Sequence, residues 1–387
     1  MPVTARVTAA LITLALVGAR PVAQSLTQEH ASGLLAPIRL LALPAGELLV
    51  AEAGRGGNLG RVSYVDRDGR RFTVIDGLPS ALFLGREPSG PSGLLLGDGR
   101  LYILIGSGDT TVAGAGANSE VLNPQPTSPL FSSVLLVEFP GRRLPDARGF
   151  ELRPADHAAL AADRPLYLRN VDGDTVRVSR LVDIPSAVPE PRPDEPRHVR
   201  TSNPFGLVGS DSGLAIVDAS MNVVWTVALG PGGPLTRLAS FPAVANPLFP
   251  GQGGPTADSV PSSIRVQGSN FVVSELTGFP FGAGAASLFR VDRQTGVLTR
   301  LASGLQTAVD VLPVDGTSAV YDVLEYSSNL PALAPGRLVR VDADRGTQLV
   351  MASALRTPTH LARDTRSGDL FVTDLAGGRI LRVLMPR

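Results

Sequence analysis

Cysteine and lysine are both absent from the 387 residues. Without cysteine there can be no disulfide framework, no thiolate metal ligand and no thiol nucleophile. The 35 basic residues are all arginine, and 35 acidic residues bring the formal net charge to zero. With no strongly basic region, binding to nucleic acid through phosphate neutralisation is disfavoured. Histidine occurs only at positions 30, 157, 198 and 360, at no spacing that suggests zinc. Gly90-Pro91-Ser92-Gly93 lacks the spacing of a nucleophile elbow, and the glycine-rich run 106–116 fits neither a P-loop nor a dinucleotide fingerprint. The apolar stretch 7–19 after Arg6 is shorter than the roughly 20 residues a membrane-spanning helix needs, and it suits the core of a signal peptide. Residues 1–24 are therefore expected to be removed on export, leaving a secreted or periplasmic chain with no membrane span.

What the chain has in abundance is one short pattern, repeated six times. A β-rich run, usually ending in Asp or Glu, appears as ELLVAE (47–52), GRLYILIG (99–106), GLAIVDA (213–219), NFVVSE (270–275), SAVYDVLE (318–325) and DLFVTD (369–374). A second alternating run follows each time, from GRVSYVD at 60 to GRILRVL at 378. Before each pair stands a further strand candidate with Pro or Gly at its mouth, such as APIRLLALP, VPSSIRVQG and TPTHLARD. After several pairs comes an outer strand with a similar ending, as in TRLASGL (299–305) and LVMASAL (349–355). Strand repeats without an intervening helical repeat predict an all-β fold, a six-bladed β-propeller with four strands per blade.

The sixth repeat stops after its third strand. Ala31-Ser32-Gly33-Leu34 matches the outer-strand ending Ala302-Ser303-Gly304-Leu305, so the N-terminal segment is expected to complete the last blade and close the ring. Residues 25–387 then form one domain, interrupted by insertions at about 107–129, 143–201 and 243–259. The middle insertion carries a short helix signal at 154–164 and a proline-rich extended connector at 185–196. The acidic turns at 66–69, 292–296 and 342–346 recur at one position of the repeat, which favours hairpin turns over calcium loops.

The stretch 240–292 and its phrase Glu275-Leu276-Thr277-Gly278-Phe279-Pro280-Phe281 resemble the scytonemin-cluster ScyD/ScyE family of β-propellers. Ser202 to Leu207 (SNPFGL) and Glu52-Ala53-Gly54 also look like family motifs, and the resemblance covers most of residues 25–387. It implies a propeller and export, and no established reaction. The insertion after the second blade is longer than the resemblance would suggest, and Arg39 and His360 stand where the family often has glycine.

Aligning the six inner strands brings Arg39, Gly93, Gly206, Ser263, Asp310 and His360 to one level of the central channel, with Asn203, Ser262 and Thr359 nearby. Arg39 and Asp310 can pair there and His360 can carry a proton, or the set can form a polar plug. The strand-ending acids Glu52, Asp218, Glu275, Glu325 and Asp374 form a second set, read either as cation ligands or as acceptors for their own turns. Glu275 with Phe279 and Phe281 is a third, an apolar lip or simple loop packing.

The leading expectation is a secreted binding or scaffold module recognising an unidentified small molecule or protein, with no cofactor. Its contacts would be Arg39, Asn203, Ser263, Asp310 and His360 at the channel mouth, with Glu275, Phe279 and Phe281 as the lip. The alternative is a lactonase-like hydrolase or lyase in the channel. There Asp310 and Asn203 would hold a divalent cation, with Asp310 and His360 as the catalytic candidates.

Overall fold

Alternation of apolar with small or polar residues builds each repeat into an antiparallel sheet, and six sheets stand around a central axis. In this computed structural model the described residues are 26–116, 118–141, 144, 146–210, 213–229 and 233–385. The expected signal peptide lies outside them. The innermost strands of blades 1 to 6 are Pro37–Ala42, Pro91–Gly97, Pro204–Ser210, Pro261–Gln267, Ala308–Pro313 and Pro358–Arg363. Blade 3 is typical: Pro204–Ser210, Gly213–Asp218, Val223–Ala228 and Leu235–Ser240 pair in sequence order. Its second strand is buried along its whole length, as a strand covered by neighbouring blades on both faces must be.

The core is divided among the interfaces between blades. One apolar cluster fills each of the six, for example Leu49, Leu101 and Ile103 between blades 1 and 2, and Val217, Ile264 and Phe271 between blades 3 and 4. Burying a residue such as Leu49 is worth about 1.5–3 kcal/mol, so these interfaces can hold the ring together without disulfides.

Closure occurs as the repeat predicts. Thr27–Ala31 pairs antiparallel with Arg379–Val383 and supplies the outer strand of blade 6, while Ala31 and Leu34 enter the cluster shared by blades 6 and 1.

The middle insertion holds more of the propeller than its composition suggested. Thr175–Asp183 is the outer strand of blade 2, and Leu166–Arg169 adds a fifth strand to it. Phe150–Glu151 runs parallel to Arg71–Leu78 at the outer edge of blade 1. The helix forms at Pro154–Ala161 with proline in its first turn. The proline-rich connector contributes Ala187–Pro189, which pairs with Val199–Thr201. The acidic turns are hairpins: Asp66 Oδ1 accepts from the amides of Asp68 (3.0 Å) and Arg70 (2.9 Å), and Asp292 Oδ1 from those of Gln294 (3.0 Å) and Thr295 (2.7 Å).

Removing residues 26–34 bares the edge of Arg379–Val383 and empties one side of the blade 6–1 cluster. We expect a loss of at least about 3 kcal/mol, a midpoint lower by roughly 6–12 °C at about 2–4 °C per kcal/mol. A circular-dichroism melt unchanged by the deletion would show that the segment does not close the ring.

Candidate functional site

Every inner strand begins at the same end of the channel and carries an irregularity just inside its first residue. The register shifts between Pro37 and Arg39, Pro91 and Gly93, Pro204 and Gly206, Pro261 and Ser263, Ala308 and Asp310, and Pro358 and Leu361. Proline is tolerated there because the first residue of an edge need not donate to the ladder. The bulge re-aims the residues that follow, and it sets the aligned side chains at one level.

Once six strands face a narrow channel, their free edges carry backbone groups with no strand to pair with. The aligned side chains take up those groups, each reaching toward the blades that follow. Arg39 Nε donates to the Ser92 carbonyl at 2.9 Å, and its Nη2 donates to the carbonyl of Phe205. Ser92 Oγ donates to the Pro204 carbonyl at 2.8 Å. Ser263 Oγ donates to Asp310, whose Oδ2 accepts the Leu361 amide at 2.7 Å. Thr359 Oγ1 donates to the Ile38 carbonyl at 3.1 Å, and the Leu40 amide donates to His360 Nδ1 at 3.2 Å.

Arg265 completes the girdle. Its Nε donates to the Val311 carbonyl at 3.0 Å, and its Nη2 to Asp310 Oδ2 at 2.8 Å and the Leu361 carbonyl at 2.9 Å. The alignment did not select this residue. The available signal was its position two residues beyond Ser263 in one strand, which puts both side chains on the same face.

These partners decide what the channel can do. Arg39, Asp310 and His360 are only 5%, 0% and 1% exposed. Burial, with Arg265 and then Arg39 adding repulsion, pushes the His360 imidazole well below its usual range, so it is neutral at physiological pH. The Leu40 amide donates to Nδ1, while Nε2 lies 2.8 Å from Arg265 Nη2 and 3.5 Å from Asp310 Oδ2. Burial also lowers the Arg39 guanidinium to about 10, still protonated at neutral pH.

A divalent cation does not fit the pair Asp310 and Asn203. Both oxygens of Asp310 accept from Ser263, Arg265, and the amides of Val311 and Leu361, with a guanidinium already in contact. Asn203 lines a separate small cavity at the channel mouth. Among the described residues no group of three or more His, Asp or Glu side chains is placed to hold a metal.

The rim acids are also committed. Each sits opposite the first inner-strand residue of its own blade, as Glu52 does opposite Pro37. Glu52 accepts from Arg61 Nε at 2.8 Å, from Ser63 and from the Leu35 amide. Glu325 takes Arg337 and the Gln306 amide (2.8 Å), and Asp374 takes Arg379 Nε (2.8 Å) and Thr357 Oγ1 (3.1 Å). Asp218 accepts from Ser202 and from the amides of Asn203 (2.8 Å) and Met221 (3.0 Å).

Glu275 departs from this rule. The residue paired across from it on the third strand is Ser287, where blades 1, 5 and 6 have Arg61, Arg337 and Arg379. Its Oε1 accepts from Ser259 Oγ at 2.6 Å, and the Ser287 side chain also lowers its carboxyl, but among the described residues no hydrogen bond reaches the buried Oε2, and burial outweighs both serines and pushes the carboxyl above the usual range. Phe279 is 65% exposed and meets Phe281 edge to face at 6.2 Å, whereas Glu275 is 1% exposed. Phe279 thus faces solvent, Phe281 is half-buried, and the Glu275 carboxylate is buried.

A more capacious hollow of about 850 Å³ lies between the outer parts of blades 2 and 3. Its charged groups are paired with one another, Arg177 with Glu138 at 2.5 Å and Arg180 with Asp163 at 3.0 Å. It contains none of the channel residues.

No family model matches the chain, and no curated protein does. Among solved structures, a candidate 6-phosphogluconolactonase of Bacteroides uniformis is 12% identical, with a TM-score of 0.44, covering 89% of this chain and 82% of its own. A gluconolactonase of Xanthomonas campestris is 14% identical, with a TM-score of 0.43, over 92% and 88%. A candidate oxidoreductase (glucose dehydrogenase) of Thermus thermophilus is 17% identical, with a TM-score of 0.32, over 93% and 100%. Likenesses this distant say nothing about what this chain acts on.

Two substitutions separate the roles of the buried acids. Asp310→Asn breaks a buried ion pair and should cost about 3–5 kcal/mol in a denaturant titration; an unchanged midpoint would refute the girdle. Glu275→Gln should behave oppositely. With its folded pKa above the unfolded value of 4.5, Glu275 binds more protons folded than unfolded, so wild-type stability falls as pH rises from 4.5 toward the folded pKa. The variant should therefore gain on wild type across that window, and a gap that does not change with pH would contradict the assignment.

Proposed function

We propose that this chain is an exported β-propeller of the ScyD/ScyE type that acts as a binding or scaffold module, recognising its partner on the face where the inner strands begin. The observation that carries this reading is the closed channel, in which Arg39, Asp310, His360 and Arg265 spend their hydrogen bonds on one another and on the edges of neighbouring blades. A substrate held in the channel would need a cavity of some 300–1,000 Å³, and the hollow at its mouth measures about 70 Å³. Raised hairpins support recognition on that face: Ala81–Phe83 with Glu87–Ser89, Thr111–Ala113 with Glu120–Leu122, and Val244–Ala245 with Thr256–Ala257. Phe279 stands exposed on the loop after Glu275, pinned to the last hairpin by the Gly278 amide donating to the Asp258 carbonyl at 2.8 Å. Export rests on the apolar stretch 7–19.

The lactonase-like alternative requires a cation at Asp310. We expect the thermal midpoint of residues 25–387 to be the same after chelation and with added calcium, magnesium, manganese or zinc, with no chelator-sensitive hydrolysis of small lactones. A cation at 100 times its Kd would add about 2.7 kcal/mol and be plainly visible. Such a shift, lost in Asp310→Ala, would overturn the proposal.

A further inference from the structure

Blade 2 is the one blade whose second strand lacks the terminal acid. Ile105 sits opposite Pro91, where the other blades place Glu52, Asp218, Glu275, Glu325 and Asp374. Two residues before the inner strand, Ser259 Oγ donates to such an acid, and Ser202, in the residues leading into blade 3, does the same. Ser89 holds the corresponding place in blade 2 and has no acid to meet. Its Oγ accepts the Gly108 amide at 2.8 Å and otherwise lies 3.4 Å from Ser107 Oγ.

Both hydroxyls line the 70 Å³ cavity at the channel mouth, together with Asn203 and Glu87. Ile38, Phe83, Pro88 and Phe205 supply apolar wall. Among the described residues, neither the Asn203 side-chain amide nor the exposed Glu87 carboxylate makes a hydrogen bond. No arginine lines the cavity. Arg39 lies 5.3 Å from the Phe205 ring centroid, and its guanidinium is committed to the girdle.

Resting on the reading of this face as a recognition surface, we propose that the cavity receives a primary ammonium group on an unbranched apolar stem. At about 70 Å³ the cavity is far below the roughly 300–1,000 Å³ of a drug-sized pocket, which favours a small head group such as an ammonium, and a quaternary ammonium would bring no N–H donor to it. An ammonium brings three donors and no acceptor, matching the acceptors Glu87 carboxylate, Asn203 Oδ1 and Ser107 Oγ. An anion would meet Glu87 and be repelled. The stem would leave along Phe83 and Phe205. The same chemistry is offered by a free alkylamine or by a lysine side chain of a protein partner.

The test is calorimetric titration of residues 25–387 with n-butylammonium, n-butanol, butyrate and tetramethylammonium. A peptide with one lysine and its acetyl-lysine counterpart distinguish the two sources. Butylammonium, the lysine peptide or both should bind while the other probes do not, and Glu87→Gln should weaken binding about 10-fold or more, the loss of a charge-assisted hydrogen bond. Gly106→Ala is a second variant. Its added Cβ would stand 3.0 Å from Ser89 Oγ and 3.8 Å from Asn203 Oδ1, filling the floor of the cavity, and it should abolish binding in a protein that melts normally. Equal binding of butanol and butylammonium, or no binding of either amine, overturns the proposal and leaves the recognition face standing. Chelator-sensitive lactone hydrolysis by the same samples would instead overturn the recognition reading itself.

Discussion

The free edges of six inner strands impose the condition that the rest of the molecule meets. A blade of four strands satisfies its own ladder but leaves its innermost strand with unpaired amides and carbonyls facing the axis. On an ordinary sheet edge water would take them. Here Asp310, Ser263 and His360 are all but excluded from solvent, and an unpaired backbone group at that depth would cost about 1–3 kcal/mol. The girdle of Arg39, Ser92, Ser263, Arg265, Asp310, Thr359 and His360 meets this demand by crossing from blade to blade. It therefore fixes the angular order of the blades as well as satisfying each edge.

A group that satisfies a backbone edge has little left for a substrate. Asp310 illustrates the conflict: it receives two backbone amides, a hydroxyl and a guanidinium, so every route to general base or metal ligand begins by breaking a contact that holds blade 5 to blades 4 and 6. His360 is held neutral by burial and by the arginines that the same edges recruit. A polar channel in a propeller is consequently ambiguous in sequence. The same residue types serve a site or a seal, and the difference lies in whether their partners are backbone groups.

The repeat made the fold legible. Alternation and a loosely recurring ending, Ala-Ser-Gly-Leu at 31–34 and 302–305 and Ala-Ser-Ala-Leu at 352–355 among its forms, located five outer strands, including the one supplied by Thr27–Ala31. The outer strand of blade 2 stayed hidden because Thr175–Asp183 lacks that ending and follows a helix and a strand lent to blade 1. At the channel, alignment found the level of Arg39, Ser263, Asp310 and His360, since the bulge after each first residue is local and recurs. It could not find their partners. Arg265 reaches residues of blades 5 and 6, a distance in sequence that no periodicity encodes.

The exceptions to the repeat carry more functional information than the repeat itself. In blades 1, 5 and 6 the strand-ending acid meets an arginine from the third strand, and in blade 3 it is surrounded by donors. Blade 4 keeps the acid and replaces the arginine with Ser287, leaving a carboxyl oxygen buried beneath the loop that exposes Phe279. Blade 2 loses the acid, and Ile105 and Gly106 leave the hydroxyls of Ser89 and Ser107 facing a hollow. Both departures fall on blades whose neighbouring loops are lengthened into hairpins, so the altered rim positions and the added surface lie on one face.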